Sequence, residues 1–354
     1  MKRIVISVVC IILVIACTKR QNTYYTTIIK TDAIRTELCS DIVSPDSTIT
    51  LFNWCLVDDN LVINSSQTEG IIQLWSWPEL HYKNKVLKIG RGPDEFISAN
   101  WAECALNNKI ALYDIPSRRI RSYVIQRDSL FLCLDYDLIG TNAEEKSLLK
   151  PYVNILQIND SIYVMRASDR SKDELSVVDL SNKNILSFYR DILKRDRTKD
   201  QYLGYDYLLK TNGKYIIKAY ESFNRIEILE LSDNKDLVPR YVITDPLESQ
   251  NSTLIYYNDI ICTDNWFACL FAGNSSGNAV VLELYNYKGE QLDRIKLNHS
   301  LTHILYDKER HAFCGYDANS EENYFYLFSY AMNDDITQEI MARCKNVKEI
   351  LELD

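Results

Sequence analysis

A strand, turn and strand pattern that recurs along most of the chain limits the possible folds more than any other feature. Apolar segments rich in β-forming residues lie at 71–77, 109–115, 174–180, 225–231, 279–285 and 324–330. Their starts are 38, 65, 51, 54 and 45 residues apart, close to the roughly 40–50 residues of a four-stranded propeller blade. The repeat therefore predicts an all-β fold, a six-bladed β-propeller, with seven blades as the alternative.

Short polar turns between the apolar segments favour hairpins over helices. Asp, Asn and Gly tolerate the backbone angles of tight reversals, and they stand between apolar runs at 58–60, 107–108, 159–160, 212–213 and 264–265. A single blade cannot bury both of its faces, so blades are stable only when they stack on neighbours. We therefore expect residues 23–354 to form one domain.

A sharp corner follows the first hairpin, at Gly90-Arg91-Gly92-Pro93. Proline has no N–H to donate to a sheet, and glycine adopts backbone angles that other residues avoid. The surrounding string IGRGPDEF, residues 89–96, resembles the corner of TolB-like six-bladed β-propeller lipoproteins of Bacteroidota. Further similarities at 111–119, 267–273 and 282–292 extend the resemblance over most of the chain.

The resemblance implies a fold and a location, but no shared reaction. By the same analogy, a strand near Tyr24–Ile29 completes the last blade and closes the ring. Two polar insertions, 140–150 and 190–203, are predicted to protrude as loops or short helices. The tail from Asp335 has apolar residues at helical spacing, which favours a short C-terminal helix over a strand at 336–340.

The N-terminus has the pattern of a bacterial lipoprotein signal. Lys2 and Arg3 precede an apolar run, Ile4 to Ala16, which at about 1.5 Å per residue is too short to cross a hydrocarbon core of roughly 30 Å. Because Val14-Ile15-Ala16-Cys17 resembles a lipobox, we expect residues 1–16 to be removed and Cys17 to be acylated, with palmitate among the acyl groups. The alternative is an ordinary signal peptide with an incidental cysteine.

An acylated Cys17 would anchor the protein to a lipid bilayer, because two or more acyl chains hold a protein stably at a membrane. Residues 17–22 would form the tether. Thr18 occupies the position where aspartate is associated with inner-membrane retention, which favours the outer membrane. Residues 18–22 lack the acidic cluster associated with surface export in Bacteroidota, which favours the periplasmic face over the cell surface.

Charge and potential metal ligands exclude several classes of function. Without Lys2 and Arg3, 38 basic residues face 49 acidic ones, a net charge of −11, which argues against nucleic acid as a partner. The cysteines after Cys17 form no CxxC pair, so the sequence predicts buried thiols, with one or two disulfides as the alternative, rather than a zinc site. His299 and His303 fall at a predicted corner, so we expect no metal and no cofactor.

Charged residues at the corner are the first candidates for contact with a ligand or partner. Arg91, Asp94 and Glu95 belong to a link between blades, and such links cross one face of a propeller towards its axis. The same side chains could instead hold the corner through hydrogen bonds to the backbone.

Aromatic residues after the second insertion are the other candidates. Tyr202, Tyr205 and Tyr207 lie close together in the sequence, and flat rings can stack on sugars or bury against a partner protein. The alternative is that these rings pack in the core or within a strand and contact no ligand.

The sequence contains no nucleophile elbow, phosphate-binding loop or EF-hand loop. We therefore favour a non-enzymatic, membrane-anchored binding scaffold for a protein, peptide or glycan partner. One alternative is a glycan-active lyase or hydrolase with carboxylates and tyrosines at the propeller axis. Another is a structural component of an envelope assembly.

Overall fold

The computed structural model describes residues 25–47, 49, 51–65, 70–104, 108–138, 152–167, 174–190, 206–245 and 254–330, and these contain β-strands but no helix. No helix in this part of the chain could therefore span a membrane. Cys17, the signal peptide and the predicted C-terminal helix lie outside the described residues.

Three short strands precede six four-stranded units. They are β1 (Thr26–Ile29), β2 (Thr36–Leu38) and β3 (Asp41–Val43). Unit 1 contains β4 (Asn53–Val57), β5 (Asn60–Asn64), β6 (Ile72–Ser76) and β7 (Tyr82–Val86). Unit 2 contains β8 (Ala99–Cys104), β9 (Ile110–Asp114), β10 (Arg119–Gln126) and β11 (Ser129–Asp137). Unit 3 contains β12 (Tyr152–Gln157), β13 (Ile162–Ala167), β14 (Glu174–Asp179) and β15 (Asn184–Arg190).

The remaining units follow the same plan. Unit 4 contains β16 (Tyr207–Thr211), β17 (Tyr215–Tyr220), β18 (Arg225–Leu231) and β19 (Leu237–Thr244). Unit 5 contains β20 (Ile255–Cys262), β21 (Trp266–Asn274), β22 (Ala279–Asn286) and β23 (Gln291–Leu301). Unit 6 contains β24 (His303–Asp307), β25 (Ala312–Tyr316) and β26 (Phe325–Ser329), with β3 as its outer strand.

The first strand of each unit is its inner strand. Inner strands contact one another in succession from unit 2 to unit 6, and that of unit 6 contacts that of unit 1. Two of them, β8 and β12, pair in parallel at Leu156 with Glu103 and at Gln157 with Cys104. This pairing joins units 2 and 3 into one eight-stranded sheet.

Each junction between successive units contains its own apolar core, because alternate side chains of a strand point to opposite faces of its sheet. Six buried clusters lie between units 1 and 2, 2 and 3, 3 and 4, 4 and 5, 5 and 6, and 6 and 1. In the last cluster, Trp54 of unit 1 lies 5.6 Å from the ring of Phe325 of unit 6. The all-β propeller architecture predicted from the repeat is confirmed.

One predicted outer strand was assigned to the wrong position in its unit. Residues 109–115 contain β9, the second strand of unit 2, whereas 71–77, 174–180, 225–231, 279–285 and 324–330 contain third strands. With β10 in its place, the third strands begin 47, 55, 51, 54 and 46 residues apart. The sequence predicts a strand at 121–125, but not as the third strand of its unit. Its polar residues obscured that position, because Arg121 is buried and donates hydrogen bonds to the carbonyl oxygens of Pro93 and Glu95.

The N-terminal strands follow the outer edges of units 4, 5 and 6. Strand β1 pairs in parallel with β19, β2 pairs in parallel with β23, and β3 pairs antiparallel with β26. The expectation that the strand near Tyr24–Ile29 completes the last blade was therefore wrong, because Asp41–Val43 takes that place. Lys30, directly after β1, donates its backbone N–H to the Thr244 carbonyl oxygen of unit 4, and its buried ammonium group lies 2.9 Å from Glu283 of unit 5.

Two buried carboxylates occupy matching places on third strands. Glu227 of β18 accepts hydrogen bonds from Arg225 at 2.9 Å and from the Tyr220 hydroxyl at 3.1 Å. Glu283 of β22 accepts one from Lys30 at 2.9 Å. Both carboxylates have cationic partners in the interior, as buried charges require.

Candidate functional site

A cavity of about 340 Å³ lies on the axis, where the inner strands begin. All six units contribute to its walls. The polar side chains that line it are Asn53, Asn100, Glu103, Asn154, Lys210, Asn258, Asp259 and His303. Its volume is at the lower end of the range for small-molecule sites, so it suits one side chain or one sugar of a larger partner.

An ion pair crosses the floor of this axial cavity. The Lys210 ammonium group lies 2.7 Å from a Glu103 carboxylate oxygen, and each side chain retains 24% exposure. Burial alone would lower the pKa of Lys210, but the nearby carboxylates of Glu103 and Asp259 outweigh it and raise that pKa. Lys210 is therefore charged at any physiological pH.

Asp259 and His303 form the wall between units 5 and 6. The Asp259 carboxylate accepts hydrogen bonds from the backbone N–H of Ile260 at 2.8 Å and of Ile304 at 3.0 Å. Burial lowers the pKa of His303, and the charge of Lys210 adds to this effect while Asp259 opposes it. His303 is thus neutral at pH 7, with one ring nitrogen a donor and the other an acceptor.

Amide side chains repeat around the cavity, from units 1, 2, 3 and 5. Asn100 donates a hydrogen bond to the Ser98 carbonyl oxygen at 3.2 Å, and Asn258 donates one to the Gly277 carbonyl oxygen at 2.5 Å. Each amide both donates and accepts hydrogen bonds. The lining can therefore pair with hydroxyl or peptide groups of a ligand.

Exposed apolar side chains stand at the same end of the inner strands. Phe52 of unit 1 is 55% exposed, Val153 of unit 3 is 52% exposed and Ile255 of unit 5 is 39% exposed. Single exposed apolar residues are common on soluble proteins, but Phe52 and Val153 both line the axial cavity, whereas Ile255 does not. We call this end of the molecule, the cavity with Phe52 and Val153, the axial face.

A second cavity of about 290 Å³ opens beside the first, between units 3 and 4, and shares Val153, Asn154 and Leu208 with it. Its other lining residues are Arg166, Ala167, Asp206, Tyr207 and Glu221. The Arg166 guanidinium lies 3.8 Å from the centre of the Tyr207 ring and 3.9 Å from the Asp206 carboxylate. We call it the side cavity.

A third cavity, of about 300 Å³, lies at the opposite end of the axis. Cys104 and Thr211 line it, and they directly follow Glu103 and Lys210 in their strands. The ion pair therefore separates the two axial cavities. Cys262 also lines the third cavity, and burial raises the pKa of its thiol to about 12. The seven cysteines within the described ranges are free thiols.

The corner residues predicted as ligand contacts lie between β7 and β8. Arg91 and Asp94 are exposed, and the Glu95 carboxylate accepts a hydrogen bond from the Gly92 N–H at 2.7 Å. None of the three lines the cavities described above. Glu95 thus stabilises the corner, and a contact between these residues and a partner stays a prediction.

The aromatic cluster is described only in part. Tyr202 and Tyr205 lie outside the described residues. Tyr207 is 3% exposed and packs between units 3 and 4, with its ring beneath the guanidinium of Arg166. Its exposed edge contributes to the side cavity, where contact with a partner stays a prediction.

The two histidines considered as metal ligands have different surroundings. His299 stacks on the Tyr326 ring with centroids 4.3 Å apart, whereas His303 lines the axial cavity. Across the described ranges, no group of three or more His, Cys, Asp or Glu side chains is arranged to hold a metal ion.

Sequence reasoning missed the residues that line the axial cavity. Their signal is a polar residue inside an otherwise apolar inner strand, as at Glu103, Asn154 and Lys210. The dipeptide Asn-Trp even repeats, at 53–54 and at 100–101, in matching strands of units 1 and 2. Aligning the inner strands rather than the outer ones would have revealed these positions.

The fold is similar to those of solved structures with low sequence identity. A Bacteroides fragilis NCTC 9343 protein named as a candidate exported protein has a TM-score of 0.54 and 13% identity, over 86% of this chain and 99% of that chain. A member of the DUF4221 family from Bacteroides vulgatus ATCC 8482 has a TM-score of 0.53 and 10% identity, over 83% and 97%. At these identities the likeness shows the fold alone.

A weaker structural similarity is to a β-propeller domain. The β-propeller domain of Cps50 (Swd1) from Myceliophteria thermophila has a TM-score of 0.46 and 12% identity, over 82% of this chain and all of that one. No family model and no curated protein matches the sequence. Membership of the TolB-like family therefore stays a prediction.

Proposed function

We propose that this protein is an exported, lipid-anchored scaffold of the cell envelope that binds a protein, peptide or glycan partner at its axial face. One observation carries the proposal: six units place polar side chains around a single cavity, and units 1 and 3 add the exposed apolar side chains of Phe52 and Val153. Binding sites combine apolar area with a few convergent polar groups in this way.

The state of the ionisable groups favours binding over acid–base catalysis. Glu103 and Lys210 are paired at 2.7 Å, and Asp259 accepts two backbone hydrogen bonds. An effective general acid or base needs a pKa near the working pH, whereas the pKa of Lys210 is raised away from it. These groups are arranged to hold fixed charges and fixed hydrogen-bonding directions.

Site-specific photo-crosslinking in the native bacterium tests the scaffold proposal. We expect benzoylphenylalanine at position 52, on the axial face, to give a discrete adduct in envelope fractions. The matched control is position 188, on β15, because Phe188 is 53% exposed and Phe52 is 55% exposed. The adduct at position 52 should disappear when Asn53 and Asn154 are both changed to alanine.

Equal labelling at positions 52 and 188, or an adduct that persists in the Asn53→Ala, Asn154→Ala variant, would contradict this proposal. A change of two exposed asparagines elsewhere, Asn182→Ala with Asn319→Ala, serves as the comparison. Digestion of the adduct by protease or by glycosidases shows whether the partner is a protein or a glycan.

The anchor is a separate prediction about location. The apolar run to Ala16 and the following Cys17 support an outer-membrane lipoprotein, with the periplasmic face favoured. The structural likeness to a protein named as exported agrees with an envelope location. We expect Cys17→Ala to move the protein from the membrane fraction to the soluble fraction. Retention of the unlipidated variant in the membrane would refute the anchor.

A glycan-active enzyme is the second candidate, because two carboxylates, Glu103 and Asp259, both lie near the Lys210 ammonium group in the axial cavity and raise its pKa. Paired carboxylates carry out glycoside hydrolysis. Release of new reducing ends from envelope polysaccharide, lost in Glu103→Gln, would favour this candidate over the scaffold.

A further inference from the structure

We propose that the partner inserts the ammonium group of a lysine side chain into the side cavity, between Asp206 and Glu221, while apolar neighbours of that lysine contact the axial face. This inference rests on the proposed function and names the chemistry of the partner, a lysine-bearing peptide segment.

The side cavity has room for a second cation. Among the residues that the structure describes, the charged side chains lining it are the carboxylates of Asp206 and Glu221 and the guanidinium of Arg166. Arg166 is held against the Tyr207 ring at 3.8 Å, and its ion pair with Asp206 is long, at 3.9 Å. With both carboxylates ionised, these three described side chains carry a net charge of −1.

Glu221 is the carboxylate left to be balanced. Its backbone is fixed, because its N–H donates to the Asp206 carbonyl oxygen at 3.0 Å and its carbonyl oxygen accepts from the Tyr256 N–H at 2.7 Å. Burial raises the pKa of its carboxyl group, the charge of Asp206 raises it further and Arg166 opposes them. A ligand ammonium group beside Glu221 would remove the repulsion and make a charge-assisted hydrogen bond.

The adjoining axial cavity favours the same sign of ligand charge. The opposite charges of Glu103 and Lys210 balance each other. Burial lowers the pKa of His303, which is therefore neutral, so the cavity retains the negative charge of Asp259. The whole chain has a formal net charge of −9. Long-range attraction and the local site therefore both favour a cationic partner.

The position of Val153 identifies the neighbours of the lysine. Val153 is 52% exposed and lines both cavities, so a peptide that spans the two cavities would pass over it. Phe52 lies exposed at the rim of the axial cavity. Apolar residues beside the lysine would cover this surface and gain hydrophobic stabilisation.

The test uses the whole mature chain and three dye-labelled probe peptides at low ionic strength. They are acetyl-Leu-Lys-Leu-amide, the same peptide with Nε-acetyl-lysine, and the same peptide with norleucine. We expect fluorescence anisotropy to show binding of the lysine peptide that is at least about tenfold tighter than that of the other two, the size of one charged hydrogen bond.

Variants locate the effect. Glu221→Gln should lower the affinity for the lysine peptide about tenfold. Glu322→Gln, at an exposed turn, should leave that affinity unchanged. A change from about pH 7.5 to about pH 5 should weaken binding to the wild-type protein, because burial and the charge of Asp206 raise the pKa of Glu221 and so increase the share of it that is protonated in acid. The Glu221→Gln variant should show a much smaller pH dependence.

Equal affinity for the three peptides, or equal effects of Glu221→Gln and Glu322→Gln, would overturn this inference. A partner adduct at position 52 that is unaffected by Glu221→Gln would overturn it as well, yet leave the scaffold proposal standing. If the protein without other substitutions gave no adduct at position 52, the scaffold proposal itself would be contradicted.

Discussion

Replacing Glu283 with glutamine is expected to lower the free energy of unfolding by about 3–5 kcal/mol, because removal of one partner leaves buried charges without compensation. Glu283 is fully buried. Its carboxylate lies 2.9 Å from the Lys30 ammonium group and 3.2 Å from the Arg294 guanidinium. Glutamine keeps the shape of the side chain but leaves Lys30 without its carboxylate partner and Arg294 with only the exposed carboxylate of Asp32, 3.3 Å away.

The effect should be concentrated in the N-terminal segment. Lys30 directly follows β1, and the buried pair connects this segment to the third strand of unit 5. The Tyr285 hydroxyl also donates to Glu283, at 3.0 Å, and the Lys30 ammonium group lies 4.1 Å from the centre of the Phe271 ring. Hydrogen exchange should therefore rise first in β1 and β2, which are held only at one edge each.

An exposed ion pair of similar length in the same unit provides the matched control. Glu37 of β2 and Lys296 of β23 are 3.0 Å apart, with side chains 69% and 55% exposed. Glu37→Gln should cost less than about 1 kcal/mol, because water already solvates both charges. Denaturant unfolding measures the free energy of unfolding of both variants. If Glu283→Gln lowered that free energy no more than Glu37→Gln does, the prediction would be contradicted.

The repeat was predictable from the sequence because hairpin turns and apolar strands are local signals. Five of six third strands were found within one or two residues, as at Ile72–Ser76 and Phe325–Ser329. The sequence predicts a strand at 121–125, but Arg119–Gln126 was not recognised as the third strand of its unit, since the buried charge of Arg121 depends on carbonyl groups at Pro93 and Glu95. A contact between a side chain and a distant backbone segment leaves no local pattern.

The order of the N-terminal strands was beyond sequence reasoning for a similar reason. Thr26–Ile29 pairs with residues 241–244, more than two hundred positions away, and several exposed edges in a propeller accept a short strand equally well. The observed edge is the one at which Lys30 also makes a buried ion pair with Glu283 of the next unit. That carboxylate is recognisable only once the third strands are placed side by side.

The axial cavity could not be predicted from the sequence, because its lining depends on the direction in which the side chains of the inner strands point. Glu103 and Lys210 belong to different units, and their pairing at 2.7 Å follows from the common register of β8 and β16 about the axis. The resemblance at residues 89–96 led instead to the corner, where Glu95 binds the Gly92 N–H. A recurring motif can mark a structural corner as readily as a ligand site.

The junction of the last and first units should be as costly to weaken as the interior ion pair. Phe325 of β26 is fully buried and lies 5.6 Å from the Trp54 ring of unit 1 and 5.2 Å from the Tyr316 ring of unit 6. We expect Phe325→Ala to lower the free energy of unfolding by about 3–5 kcal/mol, the cost of removing a buried phenyl ring and leaving a cavity.

Phe131 of β11 provides the control, because it is 49% exposed, and Phe131→Ala should change the free energy of unfolding by less than about 0.5 kcal/mol. Because Phe325 also pairs with Val43 of β3, its loss should raise hydrogen exchange in β3 and β4 before the strands of unit 3. If these strands exchanged together, or if both alanine variants were equally stable, the apolar contact would not be what holds units 6 and 1 together. Because the chain also runs from β3 in unit 6 to β4 in unit 1, this junction combines a covalent connection with the apolar contact that Phe325→Ala removes.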